Sequence, residues 1–170
     1  MPWVIDDLVQ WPQWLDTIVD WHHAEWLRTT DGGLLNTAER ERFRQERKDF
    51  MLAHLSADPI PKTLVAHNQQ QPWGTASLVY YSQPPATHHS VWLTNMYVVP
   101  EQRRQGVGAA LLAEMTAWAA TQNLTELYLY TFDAARFYFE HGWQQVRASQ
   151  LRGYAIDVLE YKFNTVDASI

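Results

Sequence analysis

Residues 92–118 read WLTNMYVVPEQRRQGVGAALLAEMTAW, and this stretch decides how the rest of the chain is arranged. Its apolar first part predicts a buried strand that ends at Pro100, because proline cannot donate to a sheet ladder. Residues 103–108 then predict a turn with two arginines and two glycines. From Ala109 onward, apolar residues recur at helical spacing. A glycine turn that opens a helix directs several backbone N–H groups at one point, so the stretch predicts a site for phosphate or diphosphate.

The turn differs from two common phosphate-binding motifs. A P-loop ends in Gly-Lys-Ser/Thr, and no such ending follows these glycines. A dinucleotide-binding fingerprint has a third glycine three residues after the second, where this chain has Leu111. The pattern that remains, Arg/Gln-x-x-Gly-x-Gly/Ala, resembles the acetyl-CoA turn of the GNAT superfamily of N-acetyltransferases.

A second motif lies one predicted strand after this helix. Residues 133–143 read DAARFYFEHGW, which resembles the later GNAT motif A-x-x-F-Y-x-x-x-G-F/W. Together the two motifs extend the resemblance over about residues 90–163, whereas the N-terminal half matches only in the order of its elements. The resemblance implies a GNAT-like acyl-CoA N-acyltransferase fold of the α/β class, mixed α+β. That fold has a central mixed, mostly antiparallel sheet of about six to seven strands, flanked by about four helices.

The order of the predicted elements agrees with that arrangement. They are strand 3–5, helix 11–26, helix 37–54, strands 63–66, 75–81 and 92–99, a helix from 109, strand 127–130, a short helix from 133, and strands 143–148 and 154–163. Asn36 or Thr37 is expected to cap the second helix, and Asp133 the short one. Strand 127–130 is expected to be buried on both faces. Residues 31–33 and 82–89 are expected to be loops.

Tryptophans recur along the first helix, at positions 11, 14, 21 and 26. This spacing predicts a core-facing stripe. We also expect one end of this helix, around His22, Glu25 and Trp26, to border the acceptor cleft, as the resemblance implies. In the second helix, Phe43, Phe50, Met51 and Leu55 are expected to face inward. The mixed charges at 39–48 of that helix, including Arg47, are interpreted as a solvated face.

The composition limits the class of protein. A length of 170 residues favours one domain over residues 1–170. The chain has no cysteine, which excludes a disulfide scaffold, a thiolate nucleophile and a Cys-ligated zinc site. It also lacks a signal-peptide pattern and the ~18 consecutive apolar residues of a membrane span, so we expect a cytoplasmic protein with no membrane partner. The formal charge of −6 argues against nucleic acid as a partner and is compatible with a cationic amine substrate.

The resemblance implies that acetyl-CoA binds along the strand, the turn and the short helix. The residues it assigns to this cofactor are Met96, Tyr97, Val98, Arg103, Arg104, Gln105, Gly106, Val107, Gly108, Ala109, Asp133, Phe137 and Tyr138. Val98 would bind the pantetheine arm through its backbone, so that the cofactor behaves like an added strand. The first arginine of the turn is expected near the phosphates, and the second is either there or on the free surface. Thr131 or Asp133 stands where the family often has an asparagine that contacts the cofactor.

Transfer of an acyl group from a thioester to an amine has three chemical needs. They are a donor for the oxyanion, a proton donor for the sulfur and a proton acceptor for the amine. The resemblance assigns the oxyanion donor to the backbone N–H of Met96 and the proton donor to Tyr138. A free thiol has a pKa of ~8.5 and a tyrosine one of ~10. The tyrosine could therefore protonate the leaving thiolate without being ionised beforehand. The alternative for residues 137–139 is a packed aromatic run on a helix.

The proton acceptor stays unassigned at this point. Several GNAT enzymes use a carboxylate four residues before the oxyanion donor, and Trp92 occupies that position here. The candidates are His88, His89 and Asn95, or water that leads to Glu25 or Asp20. Histidine pairs at 22–23 and 88–89 also raise the question of a metal. We expect none, because adjacent residues on a helix point in different directions and no carboxylate pattern joins the pairs.

Two function classes follow. The first is an N-acetyltransferase that moves the acetyl group of acetyl-CoA to a primary amine by direct transfer in a ternary complex. Its acceptor is a small-molecule amine or a peptide or protein amine, and the resemblance allows a homodimer. The alternative is an acyl-CoA-binding sensor without catalysis, which the missing strand carboxylate motivates. A different nucleotide-binding enzyme is disfavoured by the missing third glycine.

Overall fold

A mixed β-sheet forms the centre of the molecule. The computed structural model describes residues 2–29, 34–81 and 90–164. Within these ranges, seven strands form one sheet in the order β1-β2-β3-β4-β5-β7-β6. The strands are β1 Val4–Asp7, β2 Lys62–His67, β3 Pro72–Tyr81, β4 Ser90–Val98, β5 Glu126–Thr131, β6 Gln144–Leu151 and β7 Tyr154–Lys162. Neighbouring strands are antiparallel except β4 and β5, which are parallel. The predicted fold class is confirmed.

Helices cover both faces of this sheet. In the described ranges the α-helices are α1 Leu15–Thr29, α2 Thr37–Leu52, α3 Val107–Thr121 and α4 Ala135–Phe139. Leu111 of α3 belongs to the main core on one face, and Ile18 of α1 belongs to a second core on the other. Leu64 and Val65, which are adjacent in β2, join opposite cores because successive strand residues point to opposite faces. No helix in the described part of the chain has the length and apolar character needed to cross a membrane.

The strands β4 and β5 separate after a single point of pairing. In the described structure they pair only between Trp92 and Tyr128. On its other side β4 has a bulge, where Asn95 and Met96 together lie opposite Ala76 of β3. Asn95 has a left-handed φ of 54°, a conformation that asparagine adopts more readily than most residues. A bulge bends its strand and increases the local twist, so the end of β4 turns away from β5.

The helices of the N-terminal half begin differently from one another. In α2, the backbone N–H of Glu39 donates to Asn36 Oδ1 at 2.9 Å, and the backbone N–H of Asn36 donates to the Glu39 carboxylate at 3.0 Å. This reciprocal capping box confirms Asn36 as the predicted cap. The first helix begins at Leu15 and not at Trp11, because two short 3-10 turns precede it. Of the four tryptophans at positions 11, 14, 21 and 26, Trp14 is buried in the core and the others are partly exposed.

Three predictions about single residues are wrong. Phe50 does not face the core but is 58% exposed. The strand β5 is buried on one face only, because Tyr130 on its other face is 37% exposed. Asp133 does not cap α4, since the N-cap is Ala134, whose N–H donates to the hydroxyl of Thr131 at 3.0 Å. The predicted loops at 31–33 and 82–89 lie outside the described residues.

Candidate active site

A cleft of about 310 Å³ lies between the separated ends of β4 and β5. Residues 93–97 and 129–134 form its sheet walls, and Tyr138 of α4 closes one side. The opposite wall consists of Arg47 of α2 and, as expected for the end of the first helix, His22, Glu25 and Trp26 of α1. The bulge and the lost pairing thus produce a space that both helical layers border.

The turn between β4 and α3 leaves its backbone donors open. Gly106 is the N-cap of α3 with a left-handed φ of 81°, and no side chain caps this helix. The first N–H groups of α3 therefore have no intrahelical acceptor, and the helix dipole favours an anion beside them. The Arg103 side chain folds back, since its Nε donates to the carbonyl of Val98 at 2.8 Å and its guanidinium lies 5.6 Å from the centre of the Tyr97 ring. Arg104 is exposed.

The start of α3 lies against α4. A Cβ added to Gly108 would lie 3.9 Å from the Cζ atom of Phe137, which is an ordinary contact distance. Val107 anchors the helix start, because it is buried in the main core. Gln105 is exposed on the turn, and Ala109 follows Gly108 at the partly exposed surface of the first helical turn. The turn and the aromatic residues of α4 thus border the same region.

Tyr138, to which the resemblance assigns proton donation, is a buried residue of the cleft wall. Tyr138 is 7% exposed and lines the cleft, and its ring packs edge-on against Trp143 at 6.0 Å between ring centres. Its hydroxyl has no hydrogen-bond partner among the described residues. Burial raises the pKa of Tyr138 to about 12, so the hydroxyl stays protonated at neutral pH.

A buried histidine connects α1 to the bulge of β4. His22 is 4% exposed, and its Nε2 lies 2.9 Å from the Oγ1 of Thr75. The Thr75 hydroxyl donates its hydrogen to the carbonyl of Asn95 at 2.8 Å, so it accepts from His22, and Nε2 carries the ring hydrogen. Burial lowers the pKa of His22 to about 3, with Arg47 as a further cause, so the ring is neutral and a very weak base.

The candidates for a proton acceptor differ in their access to the cleft. Glu25 lines the cleft and forms an ion pair with Arg28 at 2.6 Å. Asp20 does not line it and pairs with Arg44 instead, also at 2.6 Å. The side-chain amide of Asn95 turns towards the protein, where it donates to the Ser77 hydroxyl at 3.5 Å.

The remaining candidates from the sequence are the histidine pairs and Trp92. His88 and His89 lie outside the described residues. Within the described ranges, no three histidine, aspartate or glutamate side chains come together as a metal site. Trp92 is 5% exposed in a cluster with Val79 and Val158, and it does not line the cleft. The aromatic residues that do line the cleft are Trp26, Tyr97, Tyr130, Phe132 and Tyr138.

Arg47 is the cleft residue that the sequence interpretation missed. Its assignment to a solvated helix face is wrong, because Arg47 is half-buried and lines the cleft. The signal was available in the helical spacing, since positions 43, 47 and 50 share one face of α2. Phe43 and Phe50 border a recess of about 240 Å³ beside the cleft, and Arg47 and Trp26 line both spaces.

The chain matches known proteins in both sequence pattern and fold. Residues 59–145, just over half of the chain, match the acetyltransferase (GNAT) domain family. No curated protein matches the chain in sequence. Among solved structures, the PaiA N-acetyltransferase from Thermoplasma acidophilum in complex with coenzyme A is 20% identical with a TM-score of 0.69, over 96% of this chain and 100% of that one.

Two other structures give a similar result. The acetyltransferase of the GNAT family from Streptococcus pneumoniae is 18% identical with a TM-score of 0.67, over 95% of this chain and 99% of that one. The GCN5-related N-acetyltransferase from Ralstonia eutropha JMP134 is also 18% identical with a TM-score of 0.67, over 88% and 97% of the two chains. These likenesses show the fold, and the matched family region contains β4, the turn, α3, β5 and α4. The chain therefore belongs to the GNAT acetyltransferase family.

Proposed function

We propose that this protein transfers the acetyl group of acetyl-CoA to a primary amine by direct attack within a ternary complex. The observation that carries the proposal is the cleft between β4 and β5, which Tyr138 lines. The uncapped start of α3 lies against Phe137, the residue before Tyr138. The similar Thermoplasma acidophilum enzyme was solved with coenzyme A, which supports a CoA thioester as the donor.

In this proposal the cofactor lies along β4. The backbone N–H groups at residues 104–109 bind its phosphates, helped by the dipole of α3. Its pantetheine arm runs beside the edge of β4 that β5 leaves after Trp92, as an added strand would. The backbone N–H of Met96, at the bulge, donates to the thioester oxygen and stabilises the negative charge that develops there.

The reaction then proceeds without a covalent enzyme intermediate. The nitrogen lone pair of the neutral amine attacks the thioester carbonyl carbon, the C–N bond forms and the C–S bond breaks. One proton leaves the amine through water to Glu25, the carboxylate among the sequence candidates that lines the cleft. The Tyr138 hydroxyl donates its proton to the departing sulfur, which leaves as the CoA thiol, and the proton that Glu25 received returns to the Tyr138 oxygen through water.

A binding measurement and an activity measurement test this proposal together. The first is a thermal-shift titration with acetyl-CoA, CoA and NAD in parallel, since a ligand at 100 times its Kd stabilises a fold by about 2.7 kcal/mol. The second follows release of the CoA thiol with a broad amine panel. Shifts with both CoA species but not NAD, together with thiol release, are the expected result. Binding without turnover on any amine would favour the sensor function, and absence of binding would reject both.

A further inference from the structure

The cations of α2 differ in how their charge is balanced. Arg44 pairs with Asp20 at 2.6 Å, Lys48 with Asp16 at 2.8 Å, and Arg42 with Glu46 at 3.8 Å. Arg47 is half-buried, and no carboxylate of the described residues lies within ion-pair distance of it. Burial lowers the pKa of Arg47, with the opposing influence of the Tyr130 hydroxyl as the smaller cause. Arg47 is therefore a partly desolvated cation that has no carboxylate partner among the described residues.

An unpaired cation that is partly removed from water is unfavourable unless something else balances it. Arg47 lies in the wall that the cleft shares with the neighbouring recess. A guanidinium matches the geometry of a carboxylate through two parallel N–H···O bonds. Arg47 thus offers an anionic group in the cleft a partner for two charged hydrogen bonds.

Among the described residues, the acidic side chains near Arg47 are paired or lie away from it, so the surroundings of Arg47 are net positive. Arg152, whose guanidinium lies 5.3 Å from the centre of the Trp26 ring, lines the recess together with Arg47. Glu46 also lines the recess but is the partner of Arg42. Of the carboxylates that line the cleft, Glu25 is paired with Arg28, and Asp133 is exposed after the end of β5. The recess itself is walled by aromatic rings of Trp26, Phe43 and Phe50.

We propose that Arg47 binds the carboxylate of the acceptor, so that the acceptor is a free amino acid with an apolar or aromatic side chain. The amine of such a molecule lies in the cleft, its carboxylate pairs with Arg47, and its side chain enters the recess beside Trp26. This inference rests on the proposed acetyl transfer and adds the chemical class of the acceptor.

The test compares matched acceptors that differ only in the carboxylate. L-phenylalanine, L-methionine and L-leucine are each assayed against the corresponding decarboxylated amine and the amino acid amide. Wild-type protein is compared with Arg47→Met, which keeps the apolar stem, and with Lys48→Met, which removes a cation of the same helix whose partner, Asp16, lines neither the cleft nor the recess. We expect at least one amino acid to exceed its decarboxylated amine in kcat/KM. Arg47→Met lowers kcat/KM for that amino acid roughly 10- to 100-fold and changes the value for the amine less than about threefold, because only the charged hydrogen bonds are lost.

Folding and binding controls keep each outcome decisive. Arg47→Met is expected to keep the thermal shift with acetyl-CoA, which shows that the variant is folded, and Lys48→Met to behave as wild type. Equal use of amines and amino acids, or equal loss for both in Arg47→Met, overturns the inference while acetyl transfer stands. Without turnover on any acceptor, titration of the amino acids into CoA-saturated protein, followed by tryptophan fluorescence, decides the matter. Binding that Arg47→Met weakens and Lys48→Met keeps supports the carboxylate site even though acetyl transfer fails, and no binding overturns it.

Discussion

The imidazole of His22 lies 2.9 Å through its Nε2 from the hydroxyl of Thr75, and this contact joins α1 to the middle of the sheet. The chain of hydrogen bonds continues to the carbonyl of Asn95, the left-handed residue directly before Met96. The helix that borders the cleft is therefore tied to the bulge that shapes the other side of the cleft. Since all three groups are buried or part-buried, each bond satisfies polar atoms that water reaches poorly.

This burial predicts acid sensitivity of the fold. Burial lowers the pKa of His22 to about 3 and that of His54 to about 4, both from 6.5. Below pH 6.5 these two histidines are therefore protonated in the unfolded chain, whereas in the folded chain they stay neutral down to the lower pKa values. Stability is full above pH 6.5 and falls as the pH drops towards these lower values, by about 2 kcal/mol for each histidine at pH 5. Urea unfolding at pH 7.5 and pH 5 measures this loss.

A single variant isolates the share of His22. His22→Gln keeps a side-chain N–H that can reach Thr75 but has no group that titrates in this range, so the stability lost between pH 7.5 and pH 5 should shrink by about 2 kcal/mol. His141→Gln, at an exposed position, is the matched control and should leave the loss unchanged. An undiminished loss in His22→Gln would show that other groups cause the acid sensitivity.

The second prediction concerns Tyr138→Phe. If the hydroxyl hydrogen-bonds to the leaving sulfur, kcat should fall roughly 100-fold or more, while the Kd of CoA stays within about threefold. The free energy of unfolding at pH 7 should hardly change, because the hydroxyl has no partner among the described residues. Tyr161→Phe is the control, since Tyr161 packs on Trp143 in the same aromatic cluster without lining the cleft. Unchanged kcat in Tyr138→Phe would remove this residue from the reaction.

Tyr138→Phe should also change how the stability of the fold depends on pH in the alkaline range. The pKa of Tyr138 is raised by burial to about 12, above the value of about 10 in the unfolded chain. The stability that depends on the protonated hydroxyl of Tyr138 is therefore intact below pH 10 and is lost as the pH rises from 10 to 12. Tyr138→Phe should lose less stability than wild type over this window, as unfolding midpoints at pH 9 and pH 11 would show.

The sequence predicts the elements of this fold better than their junctions. The motif at residues 92–118 and the capping residue Asn36 rest on local chemistry, and the structure has β4, α3 and the capping box at these places. Asp133 is the right residue type for a cap, but Ala134 is the N-cap and no side chain caps α4. The N–H of Ala134 donates to the hydroxyl of Thr131. That choice depends on how β5 enters α4, which local sequence does not specify.

The candidate site shows the same limit. The end of α1 at the cleft was predicted by resemblance, whereas the bulge at Asn95 has no turn signal in the sequence and follows from the pairing of β4 with two neighbours. Arg47 belongs to a run of mixed charges at residues 39–48, and nothing in that run distinguishes it from its neighbours. Its neighbours Arg42 and Lys48 do pair on the helix surface, so the charge pattern describes most of α2 correctly. The helical spacing places Arg47 on one face with Phe43 and Phe50, but only the structure shows that this face borders the recess and the cleft.

The third prediction uses the close approach of β3 and β4 at Gly74. A Cβ at this position would lie 2.7 Å from the backbone carbonyl oxygen of Tyr97, closer than real Cβ atoms come. Gly74→Ala must push β4 away from β3, and we expect it to destabilise the fold by about 1–3 kcal/mol. Thermal unfolding measures the loss, and a midpoint equal to that of wild type would contradict the tight packing of these two strands.

The fourth prediction makes the same substitution where the protein has room. A Cβ at Gly108 would lie 3.8 Å from Val98 Cγ2 and 3.9 Å from Phe137 Cζ, so Gly108→Ala should keep the fold or stabilise it by up to about 1 kcal/mol through helix propensity. Since the family pattern Arg/Gln-x-x-Gly-x-Gly/Ala allows alanine at this position, the added methyl group should leave the Kd of CoA within about threefold. Calorimetric titration of CoA into wild type, Gly108→Ala and Ala110→Gly measures this, beside thermal unfolding of each variant. The Ala110→Gly variant, in the same helix, should lose stability and keep its affinity. A tenfold or larger loss of CoA affinity in a folded Gly108→Ala protein would contradict the room that the start of α3 has for a methyl group.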